Sequence, residues 1–473
     1  MALLKIAHPP GWRRERAYIF DVLLSHFLGI DYEAEVELRT DIRISAVGGE
    51  EESELILSDC FFQQDDGCWL TPQSLPPQPL AKWDLSALGS DAPLRDLLVE
   101  EELPIIWGAP LENGEYLVRN DSGIRLGVDI FGSSFFMLTR YEEAVKPDRD
   151  RHDRFPAIAS LAYQEGFLDR PIVNEYLELL WWCLKALWPG LERKQHRFQM
   201  RISHDVDWPL GMAYIPITAV LRKAVGDVWR RHNLGLAMRR VQSLIKVKRG
   251  DLDADLYNTF DWIMNVCERQ GLQTAFYFIA GHTAGQIDGL YHLEDEWIRK
   301  LLRRVHERGH EIGLHPSYHT YRDPAALNHE FQRLLATLED EGIVQQRIGG
   351  RQHYLRWENP TTWGLWAEAG LSYDSTLGYA DHAGFRCGVC YDYPVYHLQT
   401  RQALQLVEQP LIVMEITVLE KIYMNLSREK AREEIEKLKA RCRKYNGNFT
   451  LLWHNNVLIH PLDAELFQVI LQN

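Results

Sequence analysis

The sequence predicts an α/β protein, with a barrel of about seven strand–helix units over residues 196–473 and a smaller mixed α/β domain over residues 1–195. From residue 197 onward, short apolar strands alternate with helices, which is typical of a parallel sheet covered by helices. Around seven such units indicate a closed or nearly closed barrel, whose active site is expected at the C-terminal strand ends. The 473 residues and 46% hydrophobic content suffice for the cores of two domains.

The first domain shows both helical and strand periodicity, and its titratable residues are scattered. We therefore expect a structural or substrate-docking role for it. Residues 146–154 are a charged segment that is expected to be mobile. The predicted elements are helices over 17–29, 130–143 and 173–188, strands over 34–40, 55–58 and 104–107, a proline-rich loop over 71–80, and a hairpin of 114–118 with 123–128.

The second domain repeats strand and helix with short connections. Ser427 is expected to cap a charged helix that ends at Arg443. The other predicted helices cover 255–270, 294–308, 324–340 and 361–368, and the predicted strands cover 199–203, 274–279, 310–314, 371–375, 411–416 and 449–453.

Composition excludes several classes of protein. The 52 basic and 67 acidic residues give a net charge of −15, which disfavours binding to a nucleic-acid backbone. The most apolar segment, residues 173–188, carries charges at helical spacing and is expected to be a core helix rather than a membrane span. Seven cysteines without a regular framework, together with an N-terminus unlike a secretory signal, predict a cytoplasmic protein.

Two carboxylates one residue apart, Asp205 and Asp207, follow the predicted strand that begins the second domain. Like charges this close disfavour ionising together, and a cation beside them would remove that cost. Aspartates are also common where strands end, because their side chains accept hydrogen bonds from turn amides. Taken alone, the pair leaves both interpretations open.

A histidine pair supports the interpretation as a metal site. His315 and His319 follow a predicted strand end, and two imidazoles four residues apart on one helical turn can converge on one metal ion. Pro316 suits the first turn of a helix. One carboxylate of the aspartate pair would complete a set of three ligands, and three protein ligands leave open positions, as in catalytic sites.

Four motifs in chain order resemble those of the polysaccharide deacetylases, the NodB-homology proteins of carbohydrate esterase family four. They are Asp205-Val-Asp207, His315-x-x-x-His319, Arg351 and Leu452-Trp-His454. The resemblance covers about residues 197–473, and the preceding part resembles an uncharacterised domain found before such catalytic domains in some bacterial proteins. It implies a distorted (β/α) barrel, a divalent metal that is commonly zinc, and hydrolysis of an N-acetyl group from an amino sugar.

The resemblance also implies a role for each matched residue. Asp207, His315 and His319 would bind the metal, and Asp205 would be the general base. Arg351 would pair with Asp205, and His454 would protonate the departing amine, which is a poor leaving group otherwise. A backbone N–H near Tyr354 would hold the oxyanion.

The sequence departs from the family pattern at two places. The family's third motif usually has proline two residues after the arginine, whereas this chain has His353, so the turn that carries Tyr354 is expected to differ. The family's Asp-Trp pair, which tunes the acid histidine, is replaced by a segment in which Asp374 or Asp381 could serve.

A basic insertion covers residues 210–250. Between Leu210 and Arg249 it carries nine Lys or Arg against a single acid, Asp227, with interleaved apolar residues. A solvated helical hairpin packed on the barrel is the favoured interpretation, because charged helix faces are usually exposed. The alternative is contact with an anionic membrane or a phosphate group, in which Arg230, Arg231, Arg239 and Arg240 would take part.

These observations together predict a cytoplasmic, metal-dependent deacetylase of an N-acetylated saccharide. A lipid-linked or nucleotide-linked precursor suits the cytoplasmic placement and the basic insertion. Two alternatives remain: a hydrolase of cyclic amides or ureides on the same barrel, and a non-catalytic carbohydrate-binding scaffold with a relict site.

Overall fold

The N-terminal part is built on a mixed six-stranded sheet. The computed structural model describes residues 3–47, 53–85, 96–112, 114–120, 123–229 and 232–472. The strands of this part are β1 (Leu4–His8), β2 (Tyr32–Val36), β3 (Asp41–Ala46), β4 (Glu54–Ser58), β5 (Ala81–Asp84), β6 (Glu102–Ile105), β7 (Leu117–Asn120) and β8 (Gly123–Leu126). The sheet order is β2-β1-β3-β4-β8-β7, and β5 pairs separately with β6. The predicted hairpin is confirmed, because β7 and β8 pair antiparallel.

Within the described ranges of the N-terminal part, five α-helices accompany this sheet. Helix α1 (Arg13–Phe20) continues as a π-helix over Asp21–Leu28. The others are α2 (Ile130–Leu138), α3 (Tyr141–Val145), α4 (Leu161–Gln164) and α5 (Ile172–Leu187). The single helix predicted over 130–143 is wrong, because Arg140 adopts a left-handed conformation (φ 51°) that separates α2 from α3.

The C-terminal part contains a five-stranded parallel sheet of β9 (Gln199–Val206), β10 (Thr274–Phe278), β11 (Glu311–Leu314), β15 (Val413–Met414) and β16 (Asn448–Leu452). The strand order is β11-β10-β9-β16-β15. Isolated parallel bridges from Leu314 to Gly350 and from Gly350 to Asp374 extend this run. The observed pairings do not join its two ends, so the closed barrel stays a prediction. The other strands of this part are β12 (Tyr373–Asp374), β13 (Tyr393–His397) and β14 (Gln402–Glu408).

Two features of this part differ from the prediction. Strands β13 and β14 form an antiparallel hairpin, and β14 pairs with β12, so this edge is not a simple strand–helix repeat. The strand predicted over 411–416 ends at Met414, because residues Glu415–Leu419 form a short helix.

Among the described residues of the C-terminal part, nine helices flank these strands. The predicted helix over 324–340 is confirmed, with Asp323 accepting from the backbone N–H of Ala326 as the N-cap. The helices are α6 (Ile217–Trp229), α7 (Leu234–Lys248), α8 (Phe260–Arg269), α9 (Glu296–Glu307), α10 (Pro324–Asp340), α11 (Thr361–Ala369), α12 (Glu415–Leu419), α13 (Arg428–Lys444) and α14 (Pro461–Ile470). None of the helices in the described ranges has the length and apolar content that a transmembrane span requires.

One continuous cluster of buried apolar side chains runs through both parts of the chain. A buried ion pair also joins them: Nη2 of Arg386 donates to Oε2 of Glu143 at 2.6 Å, and Nε of Arg386 donates to Oε1 at 3.0 Å. Both side chains are almost completely buried. The N-terminal part is therefore packed firmly on the C-terminal part in this structure.

Candidate active site

The candidate site residues of the C-terminal part lie at the C-terminal ends of neighbouring strands. Asp205 lies near the end of β9, and Asp207 follows that strand directly. His315 follows β11, and His454 comes soon after β16. Since these strands are parallel, their carboxyl ends meet at one edge and bring residues distant in sequence together.

Three side chains converge as a possible metal-binding group: Asp207, His315 and His353. Their ligand atoms all lie within 4.8 Å of one another. Oδ1 of Asp207 is 3.2 Å from Nε2 of His315 and 3.6 Å from Nε2 of His353. Two imidazole nitrogens and one carboxylate suit Zn²⁺ and related divalent ions, and they leave coordination positions open.

Neighbouring acceptors fix which nitrogen of each ring points into this group. Nδ1 of His315 lies 2.5 Å from the carbonyl oxygen of Arg351, and Nδ1 of His353 lies 2.8 Å from Oδ1 of Asp288. In the neutral rings both Nδ1 atoms must therefore carry the hydrogen, and both Nε2 lone pairs face Asp207. Oδ1 of Asp207 is buried and receives no hydrogen bond from any described residue. Three electron-pair donors that face one another favour a cation or a proton between them.

The titration behaviour of the group agrees with this need for positive charge. Burial of Asp207 opposes its ionisation, yet His353 and His315 hold the pKa of its carboxyl well below the usual value. Burial also opposes protonation of His353, but Asp207 and Asp288 raise the pKa of that ring to about 9. A proton on His353 thus supplies the charge that a metal ion would supply.

The expected ligand His319 does not join this group. Residues 315–319 do not form a helical turn, so the spacing of four does not align the two rings. His319 is exposed, and its ring contacts the Tyr318 ring at a centroid distance of 5.0 Å. His353 stands in the third position instead. The assignment of His319 as a ligand is therefore corrected to His353.

Asp205 lies beside the metal-binding group and is held by Arg351. Nη1 of Arg351 donates to Oδ1 of Asp205 at 2.8 Å, and Oδ2 of Asp205 is 3.7 Å from Nε2 of His315. Both Arg351 and Asp205 are buried. His204 points elsewhere, because its ring stacks on Phe276 at a centroid distance of 5.0 Å.

His454 completes the site and is oriented by Glu415. Nδ1 of His454 lies 2.7 Å from Oε1 of Glu415, and Nε2 lies 3.7 Å from Oδ2 of Asp207. Although burial opposes protonation, Glu415 and the nearby aspartates raise the pKa of His454 to about 10. His454 can therefore hold a proton at neutral pH, as a general acid must.

Neither aspartate considered for tuning His454 contacts it. Asp374 accepts hydrogen bonds from the backbone and side chain of Thr376 and is fully buried. Asp381 accepts from the backbone N–H of Ala157 at 3.0 Å. The carboxylate that contacts His454 is that of Glu415, so the assignment of Asp374 or Asp381 as the group that tunes His454 is corrected.

The turn that carries Tyr354 is fixed by the N-terminal part. Tyr354 has a left-handed backbone conformation (φ 62°), and its carbonyl oxygen accepts from Nη1 of Arg154 at 3.0 Å. The His152 ring contacts the Tyr354 ring at a centroid distance of 4.9 Å. Residues 152 and 154 therefore contact the turn that carries Tyr354, and the mobility of the segment 146–154 stays a prediction.

Three residues of the site were missed by the sequence analysis. His353 was noticed only as a departure from a family pattern, although a histidine two residues after the matched Arg351 was a usable signal. Asp288 comes from a loop between β10 and α9, and Glu415 lies in a segment that was predicted as strand. Nothing in their local sequence distinguishes these two from other acids.

Comparisons with known proteins give a family match for the N-terminal part and several solved structures similar to this chain. Residues 5–189 match a protein family of unknown function, DUF7033. A search of curated proteins finds no match. Among solved structures, a protein assigned as a polysaccharide deacetylase from Mycobacterium smegmatis is 19% identical, with a TM-score of 0.35, covering 59% of this chain and 83% of its own.

Two further solved structures are similar at the same level. The allantoinase Puue is 14% identical with a TM-score of 0.33, covering 60% of this chain and 84% of its own. A protein assigned as a polysaccharide deacetylase from Pseudomonas aeruginosa PAO1 is 12% identical with a TM-score of 0.31, covering 60% of this chain and 89% of its own.

Proposed function

We propose that the protein is a metal-dependent hydrolase that removes an N-acetyl group from an amino sugar. The observation that supports this most strongly is the convergence of Asp207, His315 and His353, with the lone pairs of both rings directed at one carboxylate. Zn²⁺ is the ion we propose for this group. When bound there, it would act as a Lewis acid and lower the pKa of a water ligand toward neutrality.

The residues around the group supply the remaining chemistry. Asp205 is the general base, and the guanidinium of Arg351 holds it in place and compensates its charge. His454 is the general acid that protonates the departing amine, with Glu415 orienting its ring. The backbone N–H of Tyr354 is the proposed donor to the oxyanion of the tetrahedral intermediate.

The substrate we propose is an N-acetylated saccharide in a lipid-linked or nucleotide-linked precursor, used in the cytoplasm. The basic insertion supports this choice only in part. Arg230 and Arg231 lie outside the described residues. Arg240 is buried and donates to Oδ2 of Asp227 at 2.8 Å, so it does not belong to an exposed phosphate-binding face. Arg239 is exposed.

The experiment that tests the proposal measures metal content and acetate release from N-acetyl sugars. We expect bound divalent metal in the wild type, and Asp205→Asn should keep the metal but lose at least about 100-fold of the activity, as expected for a lost general base. A metal-free protein, or equal activity of the variant, would contradict the proposal. Ring opening of an allantoin-like amide without acetate release would instead support the cyclic-amide alternative, and neither activity in the metal-loaded protein would support the non-catalytic scaffold.

A further inference from the structure

The basic insertion forms two helices that leave apolar side chains in solvent. Helices α6 and α7 pack against each other and bury one side of each helix, including Val220 and Ala224 of α6 and Leu236 and Leu244 of α7. The opposite sides are exposed. Together they carry eight large apolar side chains in solvent: Ile217, Leu221, Val225, Val228, Trp229, Leu234, Met238 and Ile245.

The exposed side chains of α6 form a stripe. Ile217, Leu221, Val225 and Val228 follow one another at spacings of four, four and three residues, so they share one face of the helix. Trp229, at the end of α6, is 79% exposed. Monomeric proteins expose such large apolar side chains singly, whereas a contiguous stripe marks an interaction surface.

Helix α7 continues the pattern. Leu234, Met238 and Ile245 also share a face, since their spacings are four and seven residues. Exposed basic side chains flank them on the same helix: Arg239, Lys246 and Lys248. An apolar stripe with basic flanks is the pattern of a helix that lies in the plane of a membrane interface.

Charge distinguishes the kind of partner. The segment from Leu210 to Arg249 has nine Lys or Arg and one acid, in a chain with a net charge of −15. The single acid, Asp227, is fully buried and pairs with Arg240 inside the hairpin, so the exposed charges on α6 and α7 are basic. Self-association through this face would bring basic flanks together, whereas an anionic lipid surface complements them.

We propose that α6 and α7 dock the protein on anionic phospholipid membranes. The apolar stripes insert at the level of the headgroups, and the basic flanks contact lipid phosphates. The hairpin lies on the membrane rather than crossing it, in keeping with the absence of a spanning helix in the described ranges.

The position of the hairpin gives this docking a consequence for the site. A cavity of about 650 Å³ is lined by Lys223 and Arg240 of the hairpin and also by Glu415, the partner of His454. Docking through the exposed faces of α6 and α7 therefore holds this cavity, and the site residue on its wall, close to the membrane surface.

The test is cosedimentation of the full chain with vesicles of phosphatidylcholine alone or of equal parts phosphatidylcholine and phosphatidylglycerol. We expect binding to the anionic vesicles that weakens as salt is raised. The affinity of the triple variant Trp229→Ser/Leu234→Ser/Met238→Ser for the anionic vesicles should be lower than that of the wild type by about tenfold or more. Leu38→Ser and Val344→Ser remove apolar side chains that are 98% and 82% exposed elsewhere, and these controls should bind like the wild type.

Charge and self-association are tested separately. Arg239→Gln/Lys246→Gln should weaken binding to the anionic vesicles. Binding to vesicles of phosphatidylcholine alone should be the same for this variant and the wild type. Absence of binding by the wild type, or equal loss in the two controls, would overturn the proposal. So would a dimer in light scattering that the triple variant dissociates without any vesicle binding, because a second copy would then cover the stripe. No substrate enters these measurements, so their outcome is independent of the proposed hydrolase activity.

Discussion

Nδ1 of His353 lies 2.8 Å from Oδ1 of Asp288, and this contact turns Nε2 of the same ring toward Asp207. Asp288 is fully buried and also accepts from the backbone N–H of Tyr318 at 2.7 Å, so it is itself held in place. A carboxylate behind a histidine ligand fixes the tautomer and raises the basicity of the ring. The pair explains why His353, rather than the exposed His319, completes the metal-binding group.

Replacement of His353 separates the two candidate ligands. We expect His353→Ala to lower the affinity for Zn²⁺ by at least about 100-fold, because a ligand contributes more than the residues that support it. His319→Ala is the matched control, and it should leave the affinity unchanged, since His319 is exposed. Titration against a competing chelator measures both. A larger loss for His319→Ala would contradict the site described above.

Asp288→Asn tests the supporting contact. The amide can still accept a hydrogen bond from His353 but carries no charge, so we expect a loss of about 10–100-fold in metal affinity. The control is Asp381→Asn, because Asp381 contacts the backbone of Ala157 and not the metal-binding group. Equal metal affinities of the two variants would show that Asp288 does not support the ligand.

Glu415→Gln tests the orientation and charge of His454. Burial opposes protonation of His454, and Glu415 is the main group that raises its pKa to about 10. A general acid is active while protonated, so activity falls as pH rises through this pKa. We expect the alkaline limb of the pH–activity profile to move down by about one pH unit or more in the variant. An unchanged limb would exclude His454 as the acid.

The same contact predicts a dependence of stability on pH. The pKa of His454 is raised from 6.5 in the unfolded chain to about 10 in the folded chain. Protonated His454 therefore contributes its full stabilisation below pH 6.5, and this contribution is lost as the pH rises to about 10. The difference in unfolding free energy between wild type and Glu415→Gln should therefore shrink across that range. Denaturant unfolding at pH 6.5 and above measures it.

Arg154→Gln tests whether the N-terminal part contributes to turnover. Arg154 donates to the carbonyl oxygen of Tyr354, whose N–H is the proposed oxyanion donor. We expect turnover to fall about tenfold or more with metal content unchanged, because small displacements of a catalytic group are costly. Arg322→Gln is the control, since Arg322 is exposed and pairs with Asp153 at the surface. Equal turnover of wild type and Arg154→Gln would rule out this positioning role.

The buried pair between the two parts has a large expected effect on stability. Arg386→Met leaves Glu143 buried with Arg140 as its remaining partner, at 2.9 Å. Loss of one member of a buried ion pair typically costs about 3–5 kcal/mol of unfolding free energy. Glu143→Gln/Arg386→Met should recover part of this loss, because Glu142 and Glu143 no longer share the single charge of Arg140. Thermal or denaturant unfolding of both variants decides the matter.

The sequence by itself determined the strand–helix alternation. Buried parallel strands require short apolar runs, and these runs are visible in the hydrophobic periodicity of the sequence. It also placed Asp205, Asp207, His315 and His454 at strand ends. Local sequence was insufficient where an element changes within a run, as at Arg140 and Glu415, because a backbone conformation or a tertiary contact ends the element there.

Only the tertiary structure decided how the site is completed. His319 satisfied a spacing rule that holds on a helix, but the chain at 315–319 is not helical, so its ring does not join the group of Asp207, His315 and His353. Asp288, His353 and Glu415 lie between 81 and 208 residues after Asp207 in the chain. Whether groups so far apart in the chain converge depends on how strands and loops pack. Local residue spacing does not predict that packing.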